Sequence, residues 1–173
     1  AVLAWIRRLF GAFAGELGGD PQRIICVYWQ YLSVTAAEGL FAAYSQEAGC
    51  EQRWRCDSAG IYAQAGLAPQ AQSIEVAATY GADISQLRSR AVCGEDFSNF
   101  DRIIALDCGH LDYLSAVAPA SYLGQITLFE SPLGNRIEVD DPYGLPNKAY
   151  ERAAADIAAG VRCLLEQLQT ESR

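Results

Sequence analysis

Histidine is nearly absent from the sequence: His110 is the single one among 173 residues. A metal centre built on paired imidazoles is thereby ruled out. The six cysteines, Cys26, Cys50, Cys56, Cys93, Cys108 and Cys163, offer no C-x-x-C spacing in its place. No metal and no cofactor is expected. Spread this way, the thiols fit a cytoplasmic chain that keeps them reduced and mostly buried. No apolar run reaches the ~20 residues of a membrane span. Positive charge is also scarce, with 13 basic residues against 21 acidic ones and a net charge of −8. That balance disfavours nucleic acid and anionic membrane as partners, which leaves a protein partner as the expectation. Repeats and low-complexity tracts are lacking too. Between Arg23 and Arg53 there is no arginine at all.

What is present reads as one domain with an extension. Beginning at Ala1, the sequence is expected to lack its natural start. Residues 1–22 form the extension. Val2, Leu3, Trp5, Ile6, Leu9, Phe10, Phe13 and Leu17 fall on one side of a helical wheel, opposite Arg7, Arg8, Gly11 and Gly15. Docking on the chain's own domain is the first expectation for this segment. A partner-binding helix, a purification remnant and, more weakly, a membrane-surface helix are the others. Gly18-Gly19-Asp20-Pro21 then breaks the pattern, and residues 23–173 form the domain.

In that domain apolar runs alternate with helical patterns. Strands are expected near 23–27, 53–57, 102–106 and 125–129, and helices near 35–47, 70–80, 111–117 and 147–168. The alternation predicts a flavodoxin-like three-layer α/β/α fold with a four-stranded parallel sheet. Ligands in such sheets bind beyond the strand C-termini, where the Val27 to Ser33 loop falls. Thr35 followed by Glu38 has the form of a capping box at the start of the next helix. A strand, a tight loop and a helix N-terminus together make an anion site.

Several stretches, in order, resemble the low-molecular-weight protein tyrosine phosphatases. Their first strand ends in V-C-x-G-N-x-C-R-S-P-x-A-E. Laid without gaps on Ala37-Glu38, that pattern spans Cys26 to Glu38. Asp57-Ser58-Ala59-Gly60 resembles the family's D-S-A-G, and Gly81-Ala82-Asp83-Ile84 with Arg88 and Arg90 resembles G-I-D-L with R-A-R. Glu95-Asp96-Phe97, Phe100-Asp101 and Ile103 to Asp107 resemble E-D-F…F-D-x-I-L-A-M-D. Asp141-Pro142-Tyr143 resembles the D-P-Y of the general-acid loop. Taken alone, Asp140-Asp141-Pro142-Tyr143 reads as a plain turn with Pro142 fixing φ, and only the surrounding resemblance brings the acid reading level with it.

The resemblance implies hydrolysis of phosphotyrosine by a cysteine thiolate, an arginine that holds the phosphate and an acid that protonates the leaving group. By position, Asp141 is the acid, Tyr143 flanks the substrate and Ser58 braces the phosphate loop. The loop itself departs from the pattern. Val27 stands at the nucleophile and Ser33 at the arginine. Trp29-Gln30 replaces Gly-Asn, Leu32 the second cysteine and Val34-Thr35 Ser-Pro, while Tyr28 and Tyr31 add bulk. Leu87 stands where the family has a histidine. Cys26, one residue early, reads as a core thiol, since successive strand side chains alternate faces. Arg88 and Arg90 read as a solvated face, His110 as an exposed residue at a helix start. Cys93 and Cys108 resemble the extra thiols of arsenate reductases on this fold, a weaker likeness. The expectation is a catalytically impaired, partner-binding phosphatase-like domain. The alternatives are an active or residually active phosphatase, and a scaffold whose loop was replaced in the laboratory.

Overall fold

In the computed structural model, residues 22–28, 33–130, 135 and 139–171 are described, without the side chains of Ile25 to Tyr28, Ser33 and Val34. The amphipathic segment 1–17 and the loop residues Trp29, Gln30, Tyr31 and Leu32 lie outside the description.

The strands are β1 (Gln22–Tyr28), β2 (Trp54–Gly60), β3 (Arg102–Ala105) and β4 (Ile126–Leu128). They form one sheet in the order β2-β1-β3-β4, and each neighbouring pair is parallel. Around it lie α1 (Ser33–Glu47), α2 (Ala71–Thr79), α3 (Asp96–Asn99), α4 (Cys108–Val117) and α5 (Asn147–Glu171), with a 3₁₀ turn at Ala120–Gln125. The parallel sheet and the four long helices stand where the apolar runs place them. The short α3 and the 3₁₀ turn carry too few residues for a periodic signal.

Alternation along β3 divides the core. Ile104 faces one layer with Ile24, Leu40, Phe41, Phe129, Ile157 and Leu165, between the sheet and helices α1 and α5. Ile103 and Ala105 face the other, with Leu114, Tyr122 and Ile126. Each face of a parallel sheet is thus covered, which explains why Ile103 and Ile104 are both fully buried.

Helix α1 begins at Ser33, ahead of the expected cap at Thr35. Thr35 is instead buried in the first turn, and Glu38 turns sideways to Ser58 at 2.5 Å. Helix α4 also starts early, because Asp107 caps it: Asp107 Oδ1 accepts the backbone N–H of His110 at 2.7 Å. His110 is therefore no exposed helix-start residue, and its side chain is 0% exposed.

Glycine lets α5 approach the sheet. A Cβ added at Gly160 would lie 2.3 Å from the Phe129 ring. Gly160→Ala should destabilise the fold, although alanine is the better helix former by about 1 kcal/mol. Urea denaturation checks this, and Phe129→Leu in the same chain should recover part of the loss. A more stable Gly160→Ala single variant would contradict the packing.

Candidate functional site

β1 lies between β2 and β3, so the connections leaving it and its neighbour run to opposite sides of the sheet. That is the switch point at which parallel sheets bind ligands. Val27 pairs in register with Ala59 and Ala105, and Tyr28 with Gly60, at the C-terminal end of the strands. Ser33 and Val34 open α1 just beyond. The backbone thus brings Val27, Tyr28, Ser33 and Val34 to one pole.

Below that pole side chains of β2 and α1 meet. Ser58 pairs in register with Cys26, is 4% exposed and donates its hydroxyl proton to Glu38 Oε2. Burial pushes the Glu38 carboxyl above its ordinary range. The Ser58 hydrogen bond works against that, nearby Asp57 adds to it and Arg90 opposes it. Arg90 is not on a solvated face. Its Nε and Nη2 donate to Asp57 Oδ2 at 3.0 and 2.8 Å, and its Nη1 to Asp96 Oδ2 at 3.0 Å. Arg90 also lies over the Phe100 ring at 5.7 Å. These bonds tie the middle of β2 to the first residue of α3. Arg88 is exposed and donates to the carbonyls of Ser85 and Leu87. Leu87 packs against the core.

The acidic segment is anchored on both sides. Val139 is buried, and its N–H reaches the carbonyl of Leu106, just past β3, at 3.3 Å. Pro142 is buried beside Ala36, Ala77, Tyr150 and Ile157, around a cavity of about 20 Å³. Between these anchors Asp141 is half-buried and Asp140 exposed. Asp141 Oδ1 accepts the N–H of Tyr143 at 3.0 Å, and Gly144 closes the turn at φ +73°. Tyr143 and Leu145 project outward, 58% and 51% exposed. Pro142 and Ala36 line the same small cavity, which places Asp141 near the pole where α1 begins. The turn and the acid readings of this segment are therefore compatible.

His110 packs into the same end of the fold, one turn past β3. Burial pushes its pKa down to about 4, against the pull of Asp107, whose Oδ1 lies 3.0 Å from Nδ1. Among the described residues no group of three or more side chains could hold a metal ion. No helix among them is long and apolar enough to cross a membrane.

Sequence reading missed Glu38 as the partner of Ser58 and Arg90 as the partner of Asp57 and Asp96. The signal for the second was the short spacing from Arg90 to Asp96. For the first there was none, because the capping pattern explains the same glutamate equally well.

Comparison with known proteins agrees with this geometry. The family model for low molecular weight phosphotyrosine protein phosphatase matches residues 30–173. A low molecular weight phosphotyrosine protein phosphatase of Schizosaccharomyces pombe is 35% identical over 112 residues, covering 62% of this chain and 70% of the relative. The Bacillus subtilis low molecular weight protein-tyrosine-phosphatase YfkJ is 27% identical over 141 residues, covering 79% of this chain and 88% of the relative. The crystal structure of YfkJ superposes with a TM-score of 0.80 at 25% identity, covering 91% of this chain and 100% of that one. A T. tengcongensis low molecular weight protein tyrosine phosphatase superposes with a TM-score of 0.77 at 29% identity, covering 84% and 99%.

A buried neutral imidazole makes stability depend on pH. His110 takes a proton in the unfolded chain near 6.5 and in the folded one near 4. Its contribution is complete above the unfolded value and is lost as pH falls towards the folded one, at up to about 1.4 kcal/mol per pH unit. His110→Gln should flatten that slope in urea melts across the window; an unchanged slope would mean His110 is not its source.

Proposed function

Because the chain belongs to the low molecular weight phosphotyrosine protein phosphatase family, we propose that it is a catalytically impaired member which binds a partner without hydrolysing phosphotyrosine. The observation that carries this is in the loop. On the family's ungapped pattern, Val27 takes the nucleophile's place and Ser33 the arginine's. Valine cannot attack phosphorus, and serine cannot offer the bidentate fork that holds the equatorial oxygens. Trp29 and Gln30 lack the backbone freedom by which Gly-Asn shapes a phosphate cradle.

The remainder of the reading follows from what is kept. Asp141 stands as the general acid, held by Val139 and Pro142, but with no covalent step to assist. Tyr143 and Leu145, exposed beside it, offer an aromatic and apolar face to a protein partner. The net charge of −8 argues against nucleic acid. A cytoplasmic location belongs to the same proposal, in keeping with exposed Cys93 and buried Cys50 as free thiols.

The test is turnover of p-nitrophenyl phosphate by the purified chain, expected to stay close to the uncatalysed rate. When members of a cooperative constellation are missing, most of the acceleration goes with the first. Turnover at ~1–10³ per second, abolished by Asp141→Asn, would sink the proposal and make the chain an active phosphatase.

A further inference from the structure

From Ala36 onward, the supports of a phosphate site are in place. Ser58 is bonded to Glu38, Asp57 to Arg90, and the Asp141 segment is anchored at both ends. Leu87 apart, the site residues of the family pattern that this chain lacks all fall before Ala36, and the later departures are exchanges such as Ile104 in β3 and Leu106 just past it. Gradual decay would scatter its losses through loop, braces and acid alike. A clean break at one point of the chain calls for a cause at one point of the gene.

The genetic code supplies that cause. Trp29 has a single codon, TGG, and every Gln30 codon begins with C. The last two nucleotides of the first and the first of the second therefore spell GGC, glycine, whatever codons the gene uses. Read in the same displaced way, Cys26 and Val27 spell GTG, valine, if Cys26 is TGT. Val27 and Tyr28 spell TGT, cysteine, if Val27 is GTG. Gln30 and Tyr31 spell AAT, asparagine, if Gln30 is CAA. Leu32 and Ser33 spell TGT, cysteine, if Leu32 is CTG. Ser33 and Val34 spell CGG, arginine, if Ser33 is TCG. Val34 and Thr35 spell TCA, serine, if Val34 is GTC. Thr35 and Ala36 spell CCG, proline, if Thr35 is ACC.

With isoleucine from Tyr28-Trp29 and Tyr31-Leu32, the displaced reading is V-C-I-G-N-I-C-R-S-P. It matches the family pattern position by position, from Cys26 to Thr35. Chance meets these demands rarely. Only Met, Leu and Val have codons ending in TG, which this cysteine codon requires, and only Trp, Arg and Gly have codons ending in GG. After the proline codon, two nucleotides remain before Ala37, where P-x-A-E needs a whole codon. We propose that the coding sequence lacks a nucleotide at the Ala36 codon, that the residues before it are read out of frame, and that the neighbouring frame encodes the nucleophilic cysteine and the phosphate-holding arginine.

The strand survives the displacement for a simple reason. Ile24 and Ile25, as ATT-ATT before TGT, read Leu-Phe in the other frame, so β1 is apolar in both. Residues 1–22 belong to the same displaced frame, and their amphipathic pattern then reflects no docking function. The site restored by the neighbouring frame performs covalent phosphoryl transfer. The thiolate attacks phosphorus, the P–O bond to the aryl group breaks, and Asp141 gives its proton to the departing phenolate. Water then releases inorganic phosphate from the thiophosphate and returns the thiolate.

The proposal goes beyond the impaired chain, and its test is separate from the assay of that chain. The gene is read across the Arg23 to Glu38 codons. Val27 and Leu32 codons ending in TG, Gln30 as CAA and Ser33 as TCG are expected; any other codon at one of these positions overturns the proposal, whatever folds. At the protein level, Val27→Cys, Trp29→Gly, Gln30→Asn, Leu32→Cys, Ser33→Arg, Val34→Ser and Thr35→Pro are introduced together. That set should give a covalent burst with p-nitrophenyl phosphate and raise turnover about 10³-fold or more over the unaltered chain. The same set without Val27→Cys should stay at the unaltered level. A full set that melts cooperatively yet gives neither burst nor turnover overturns the proposal as well.

Discussion

Parallel pairing of β1 with both β2 and β3 is the constraint on which the rest depends. It places the end of β1 at the middle of the sheet's C-terminal edge, with a crossover leaving to each side. The chain therefore leaves β1 and enters α1 at the point of the sheet's edge where parallel sheets bind ligands. The second core layer and the Val139 anchor on Leu106 fix β3 relative to that point. Pro142 lines one small cavity with Ala36, Ala77 and Tyr150, which places the acidic segment beside α1. The framework around the end of β1 is thus a property of the sheet and of residues from Ala36 onward.

That framework explains how much could be read from the sequence alone. Strands such as Arg102–Ala105 announce themselves, because both faces are buried and the run is unbroken. Asp141-Pro142-Tyr143 was legible as a turn, which the Tyr143 N–H bond to Asp141 Oδ1 bears out. Glu38 was not legible, because a glutamate three residues after a threonine satisfies a local capping rule. Its tertiary partner Ser58 comes from a strand that the pattern of α1 does not reveal. Arg90 and His110 were misread for one physical reason. Charged and titratable residues are assigned to the surface by default, and only the fold brings Asp57 and Asp96 to Arg90 or closes apolar layers over His110.

The loop raises a different matter. A sequence in which the sheet, its helices and the Ser58, Arg90 and Pro142 contacts agree with each other while a single stretch departs from the family pattern breaks the consistency that folded sequences normally keep. The glycine and asparagine of the pattern become Trp29 and Gln30, a change that favours neither a tight turn nor an anion. Adaptation to a new ligand would be expected to remodel Ser58, Glu38 or Asp141 as well. Their retention makes the account of the loop a question about its coding, and leaves the physics of the domain unaffected.

The central claim, that a phosphatase scaffold here holds no working oxyanion site, is tested most directly by titrating the chain as it stands with orthovanadate in an isothermal calorimeter. The account requires heats no larger than dilution, because no arginine lies between Arg23 and Arg53 to hold the anion. Saturable binding at one vanadate per chain, lost on Ser33→Asp, would contradict it.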